Sequence, residues 1–285
     1  MKWSRGTIND DVIDARGKKL APAKIAGGGI VATLVVFAVA KIFGVDISGL
    51  VGSGGGGGNA AGGTPTQHEN EPPKGPDPDA ELIDYVKFVM KDVQDTFEGV
   101  YKAQGKTYER AKLIVFTQAV DTACGRSSSA IGPFYCPGDS NAYIDLSFYK
   151  DLKARFGAPG DFAQAYVLAH EIGHHLQNLM RVEEKQGRGR RTNEMSVRVE
   201  LQADCFAGVW GHHAQGRKLL EAGDLEEAIT AATAIGDDRL QKQAGVEVNP
   251  ETFTHGTSAQ RVKWFRVGFG SGKLESCDTL SIAEP

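Results

Sequence analysis

His170, Glu171 and His174 stand in the order His-Glu-x-x-His within the stretch Ala-Tyr-Val-Leu-Ala-His-Glu-Ile-Gly-His-His-Leu-Gln, residues 165–177. Residues four apart lie on one face of an α-helix, so both imidazoles can reach one metal ion. Glu171 follows the first histidine directly, a position from which a carboxylate overhangs the open side of that ion as a general base. The chemistry this spacing points to is hydrolysis by a zinc-activated water. The flanks read as helix: Phe162, Tyr166, Ala169, Gly173 and Leu176 recur at helical spacing, with Asp161 as a first-turn acid. His175 points about 100° away from His174 on such a helix.

A second helix, read over residues 196–214, carries Glu200 and Asp204 four positions apart among Val199, Leu201, Ala203, Cys205, Phe206, Ala207, Val209 and Trp210. A helix apolar most of the way round is buried, and a buried carboxylate costs several kcal/mol unless it is paired or metal-bound. Two histidines and a glutamate are an established zinc ligand set, so Glu200 is the natural third ligand. Asp204, one turn on, suits a partner that accepts the free N–H of a ligand histidine and fixes its tautomer. The plainer alternative for both acids is an ion pair with an arginine such as Arg198 or Arg261. His212 and His213 follow the acidic pair and read as helix-end residues.

These helices need a scaffold. Leu82, Tyr85, Val86, Val89, Val93 and Phe97 predict an amphipathic helix from near Asp79 to about Tyr101. Residues 112–119 read as a strand, and 134–136 with 142–146 as short strands around the turn Pro137-Gly138-Asp139. Further helices are predicted over 145–155, 217–220, 225–235, 238–243 and 257–269. Helix, short sheet, then helices gives an α+β, mainly helical domain with a small antiparallel sheet over residues 79–285.

The 285 residues carry 41% hydrophobic and 24% charged side chains, as a globular protein does, and a net charge of −4, which implies no general attraction to nucleic acid. The N-terminal part differs. Residues 1–24 are polar and mixed in charge. Residues 25–45 are apolar, interrupted by Lys41, and reach the roughly 20 residues of a membrane-spanning helix if that lysine snorkels to the interface. Basic residues crowd their N-terminal side, so the positive-inside rule puts residues 1–24 in the cytoplasm and the rest across the cytoplasmic membrane. Ala38-Val39-Ala40 also fits a cleaved signal peptide. Residues 46–78, with five consecutive glycines and then a series of prolines, read as a flexible linker. This topology places the domain and its four cysteines outside the cytoplasm, where disulfides persist. Cys124 with Cys136 closes a short loop, leaving Cys205 with Cys277.

Gly-Pro-Phe-Tyr-Cys-Pro, His-Glu-Ile-Gly-His-His-Leu-Gln, Glu-Leu-Gln-Ala-Asp-Cys-Phe-Ala-Gly and Thr-His-Gly-Thr-Ser-Ala-Gln-Arg resemble segments of a bacterial family of neutral zinc metallopeptidases. His-Glu-x-x-His followed by Glu-x-x-x-Asp is similar to the gluzincin arrangement of thermolysin-like enzymes. The resemblance spans nearly the whole chain. It implies a membrane-tethered zincin-like peptidase with one zinc ion per chain and a peptide or protein substrate. By the same resemblance His255 is the donor that stabilises the oxyanion, with Tyr135 and Tyr143 as rivals and a capping or packing role as the alternative. Two other functions remain open at this point: a binding or scaffold protein with a structural or inactive zinc site, and a zinc amidase acting on cell-wall amides.

Overall fold

The computed structural model describes residues 1–17, 76–185, 192–283 and 285. Its sheet has four strands in the order β1 (Val12–Asp14), β2 (Lys112–Phe116), β6 (Asn141–Asp145), β5 (Phe134–Cys136). A separate hairpin, β3 (Ala119–Thr122) and β4 (Gly125–Ser128), sits between β2 and β5 in the chain. The sheet is mixed, which corrects the antiparallel reading. Among the described strands of this sheet only β5 runs antiparallel to its neighbour; β1 with β2 and β2 with β6 are parallel, with Val12 opposite Leu113 and Ile114 opposite Tyr143. A parallel pair needs a long crossover, supplied here by the hairpin and β5, and the short strands read as a local turn when taken alone.

The central strand reads Lys-Leu-Ile-Val-Phe and is buried on both faces. Leu113 and Val115 join the main core with Ile144 and the helices. Ile114 and Phe116 face the other way, onto Val120, Cys136 and Tyr143. The helical layer begins with α1 (Ala80–Ala103), which buries Val86, Val89, Val93 and Phe97. It continues through α2 (Ser147–Ala154), α3 (Asp161–Leu179), α4 (Val182–Lys185), α5 (Asn193–Gly216), α6 (Asp224–Ala234), α7 (Asp237–Gln243) and α8 (Ser258–Ser271). Residues 217–220 form no helix: Lys218 takes a positive φ of 61°, which ends α5 in a turn.

Three of these helices matter most. The N-terminus of α3 is held by Glu227, whose carboxylate accepts from the Phe162 amide. Thr192 caps α5, and α8 opens on a capping box between Thr257 and Gln260. Phe162 of α3 stacks on Trp210 of α5 with ring centroids 5.3 Å apart. Glycine sets how closely the helices approach. A Cβ on Gly173 would lie 2.9 Å from the Ala203 backbone, and one on Gly268 would lie 1.9 Å from the Cys205 carbonyl oxygen. Any side chain at either position would push α3 or α8 away from α5.

The membrane topology is corrected. Among the described residues no helix is long and apolar enough to cross a membrane. Residues 25–45, and 46–75 of the expected linker, lie outside the described residues. What overturns the single-pass arrangement is the position of residues 1–17. β1 is a strand of the domain's own sheet, and Arg16 donates to Asp77 and Asp79. The segment read as cytoplasmic therefore packs on the domain read as lying across the membrane, and the two cannot occupy opposite sides.

Candidate metal centre

His170, His174 and Glu200 come together: each offers a ligand atom, and these atoms lie within 4.8 Å of one another. Two neighbouring turns of α3 supply the imidazoles, and α5 supplies the carboxylate across the contact that Gly173 permits. His170 Nε2 lies 3.2 Å from one oxygen of Glu200, and His174 Nε2 lies 3.5 Å from the other. Both Nδ1 atoms point outward, each to its own partner. Burial works against the charge on Glu200, but His174 and His170 outweigh it and hold the carboxyl well below its ordinary range.

His170 is held by a charged network. Asp204 Oδ1 accepts from His170 Nδ1 at 2.9 Å and from the Tyr166 hydroxyl at 2.5 Å. Arg261 donates to both oxygens of Asp204, each at 2.9 Å. Asp204 is 0% and Arg261 1% exposed, so this is a fully desolvated ion pair. This one aspartate is bonded to both His170 and Arg261, contacts that the sequence offers as alternatives. Arg198 is engaged elsewhere, with Glu194 and the carbonyls of Thr279, Ile282 and Ala283. Since an ionised carboxylate only accepts, His170 donates from Nδ1 to Asp204 and from Nε2 to Glu200, and a metal ion bound here would take the place of the Nε2 proton.

Glu171 is buried beside the two histidines. Burial raises its carboxyl pKa, against the pull of His174 and His170. His255 is also brought to this side of the fold. Its Nδ1 meets Asp237 Oδ1 at 3.0 Å, while Asp237 Oδ2 accepts from the backbone amides of Thr254, His255 and Gly256. Burial lowers the pKa of His255, but Asp237 and then Glu200 more than offset it, so the imidazole sits above its ordinary value. The rival tyrosines are committed elsewhere: Tyr143 donates to Asp139, and Tyr135 bonds to His175 and Asn178. His175 bridges Tyr135 to the Glu109 carbonyl, a buried structural link. His212 and His213 bond to carbonyls at the end of α8. A second acidic group, Asp161, Asp224 and Glu227, gathers near the Met1 ammonium and the start of α3.

Three residues of the surroundings are not singled out as site residues by the sequence. Asp237 lies 18 residues from His255 in the chain. Gln177 accepts from His174 Nδ1 at 2.9 Å, and Gln202 bonds to Gln177 at 3.2 Å. Gln177 was legible only as the residue three positions after His174, close to the same helix face. The cysteines form the pairs Cys124–Cys136 and Cys205–Cys277.

Two imidazole Nε2 atoms and a carboxylate, gathered within 4.8 Å of one another and partly buried, match the donor chemistry of a zinc site. Residues 1–280 match the family described as "putative neutral zinc metallopeptidase". The chain belongs to this family. Among similar proteins, uncharacterized protein YpfJ of Escherichia coli (strain K12) is 43% identical over 293 residues, covering 98% of this chain and 99% of that protein. Uncharacterized protein Rv2575 of Mycobacterium tuberculosis (strain ATCC 25618 / H37Rv) is 44% identical over 202 residues, 67% of this chain and 69% of its own. No solved structure matches the chain. Membership in the zinc metallopeptidase family implies zinc and suggests zinc-dependent hydrolysis.

Proposed function

We propose that the chain hydrolyses peptide bonds with one zinc ion held by His170, His174 and Glu200. The observation that carries this reading is the convergence of both Nε2 atoms on the two oxygens of Glu200, with each Nδ1 turned to an outer partner. A zinc ion held there would supply Lewis acidity, the chemistry that lowers the pKa of a water to about 7. Glu171 takes the proton from that water and passes it to the leaving amine. Its raised pKa suits both halves of that transfer. His255, steadied by Asp237, donates to the developing oxyanion. The outer edge of β5, which pairs with β6 on its other side, can receive an extended peptide as an added strand.

The test is Glu171→Gln in the full chain. It retains zinc by metal analysis and its rate of peptide cleavage falls by at least about a hundredfold. Equal cleavage by the two proteins would remove Glu171 as the base. His174→Ala is expected to lose the zinc that the parent holds.

A further inference from the structure

His174 is held quite differently from His170, and its partners lead out of the site. Gln177 Nε2 donates to the Val199 carbonyl at 2.6 Å and to Gln202 Oε1 at 3.2 Å. Both are acceptors, so the Gln177 amide has its nitrogen on that side and its Oε1 toward His174. Oε1 can only accept, and His174 Nδ1 must therefore be the protonated ring nitrogen. Gln202 is oriented in the same way: its Nε2 donates to the Cys277 carbonyl at 3.0 Å, which leaves Oε1 for Gln177. Gln177 and Gln202 are both buried. The direction of every donor in this chain is thus dictated by two backbone carbonyls, of Val199 and Cys277.

The far end is firmly anchored. Cys277 is bonded to Cys205 on α5, adjacent to Asp204. The Thr279 hydroxyl donates to the Arg198 carbonyl, and the Arg198 side chain donates to the Thr279 carbonyl. The tail beyond α8 is thereby fixed to the helix that carries Glu200.

We propose that Gln177 and Gln202 form an amide relay that holds the proton of His174 on Nδ1, so that Nε2 is the nitrogen left for a metal ion, and that the disulfide-anchored Cys277 carbonyl fixes the far end of that relay. The two glutamines are positioning residues, and the C-terminal tail becomes part of the outer shell of the centre. The consequence for metal binding rests on the reading of His174 as a zinc ligand.

The test uses the full chain and its Gln177→Met, Gln202→Met and double variants, which keep side-chain volume and remove the amides. Two quantities are read: zinc affinity by competition with a chelator, and the His174 tautomer in the metal-free protein at alkaline pH from imidazole ¹⁵N shifts. Gln177→Met is expected to weaken zinc binding by about 10- to 100-fold and to give a mixed tautomer. Gln202→Met, which does not touch His174, is expected to weaken it by about fivefold, the loss of one neutral hydrogen bond. The double variant is expected to be no weaker than Gln177→Met alone, because the second residue acts through the first. Zinc affinity within twofold of the parent in both single variants, or an unchanged tautomer in Gln177→Met, overturns the relay. Losses that multiply in the double variant overturn it as well. If Gln177→Met does not fold, Gln202→Met decides by the same two readouts. The tautomer measurement needs no metal. A parent chain that shows the Gln177-dependent tautomer yet binds no zinc overturns the ligand reading and leaves the relay standing.

Discussion

Neighbouring turns of α3 present two histidines that face one carboxylate, yet the structure secures them by opposite means. His170 is backed by charges, through Asp204, Arg261 and Tyr166. His174 is backed by neutral amides, through Gln177 and Gln202. Both arrangements put the proton on Nδ1. They differ in what failure costs. A charged network in a dry interior is costly to leave half-made, whereas an amide relay loses about one hydrogen bond at a time. The His170 side therefore couples the centre to the stability of the whole fold, and the His174 side tunes it more gently.

The largest effect should come from breaking the charged side. Arg261→Met leaves Asp204 buried without its cation, and urea denaturation is expected to show a loss of about 3–5 kcal/mol. Replacing both partners, Asp204→Leu with Arg261→Met, should recover most of that stability without restoring zinc affinity. That result would separate the structural cost of the pair from its orientation of His170. Gln177→Met is expected to cost only about 1 kcal/mol in the same experiment. A loss as large as that of Arg261→Met would erase the contrast.

The smallest effect is a pH slope that sharpens the comparison. His255, like His170, is held by a carboxylate and faces Asp237, Glu200 and Arg261. Its pKa is raised from 6.5, so its contribution to stability is fully present below about pH 6.5 and is lost as pH rises through the folded value. The Asp237 pKa is lowered from 3.8, so its contribution is present above about pH 4 and is lost as pH falls. Thermal midpoints of the metal-free protein should reveal both limbs. Asp237→Asn should flatten them by on the order of 1 kcal/mol, while Gln177→Met leaves their slopes unchanged.

How far the sequence could be read follows from the range of each signal. His-Glu-x-x-His and the Glu200/Asp204 pair are local patterns, readable because a helix repeats over four residues and because buried carboxylates need partners. The partnership of Asp204 with Arg261 spans 57 residues, so helical spacing leaves it as one alternative beside the histidine contact. Gln177 and Gln202 looked like ordinary polar positions, since their partners are carbonyls that only the tertiary fold supplies. β1 has three residues and pairs with a strand about a hundred positions away, which leaves no periodicity to detect. The apolar composition of residues 25–45 suggested a topology that the packing of residues 1–17 against the domain contradicts.

The Arg16 clasp has a consequence for how the two ends of the domain find each other. Its guanidinium binds Asp14 on one side and Asp77 and Asp79 on the other, so residues 17 and 76 leave and rejoin the domain at one place. The intervening stretch is topologically an insertion whose ends are already joined. The places of β1 and of the start of α1 are thus tied to one another by Arg16 and its three aspartates, whatever the length of chain between them.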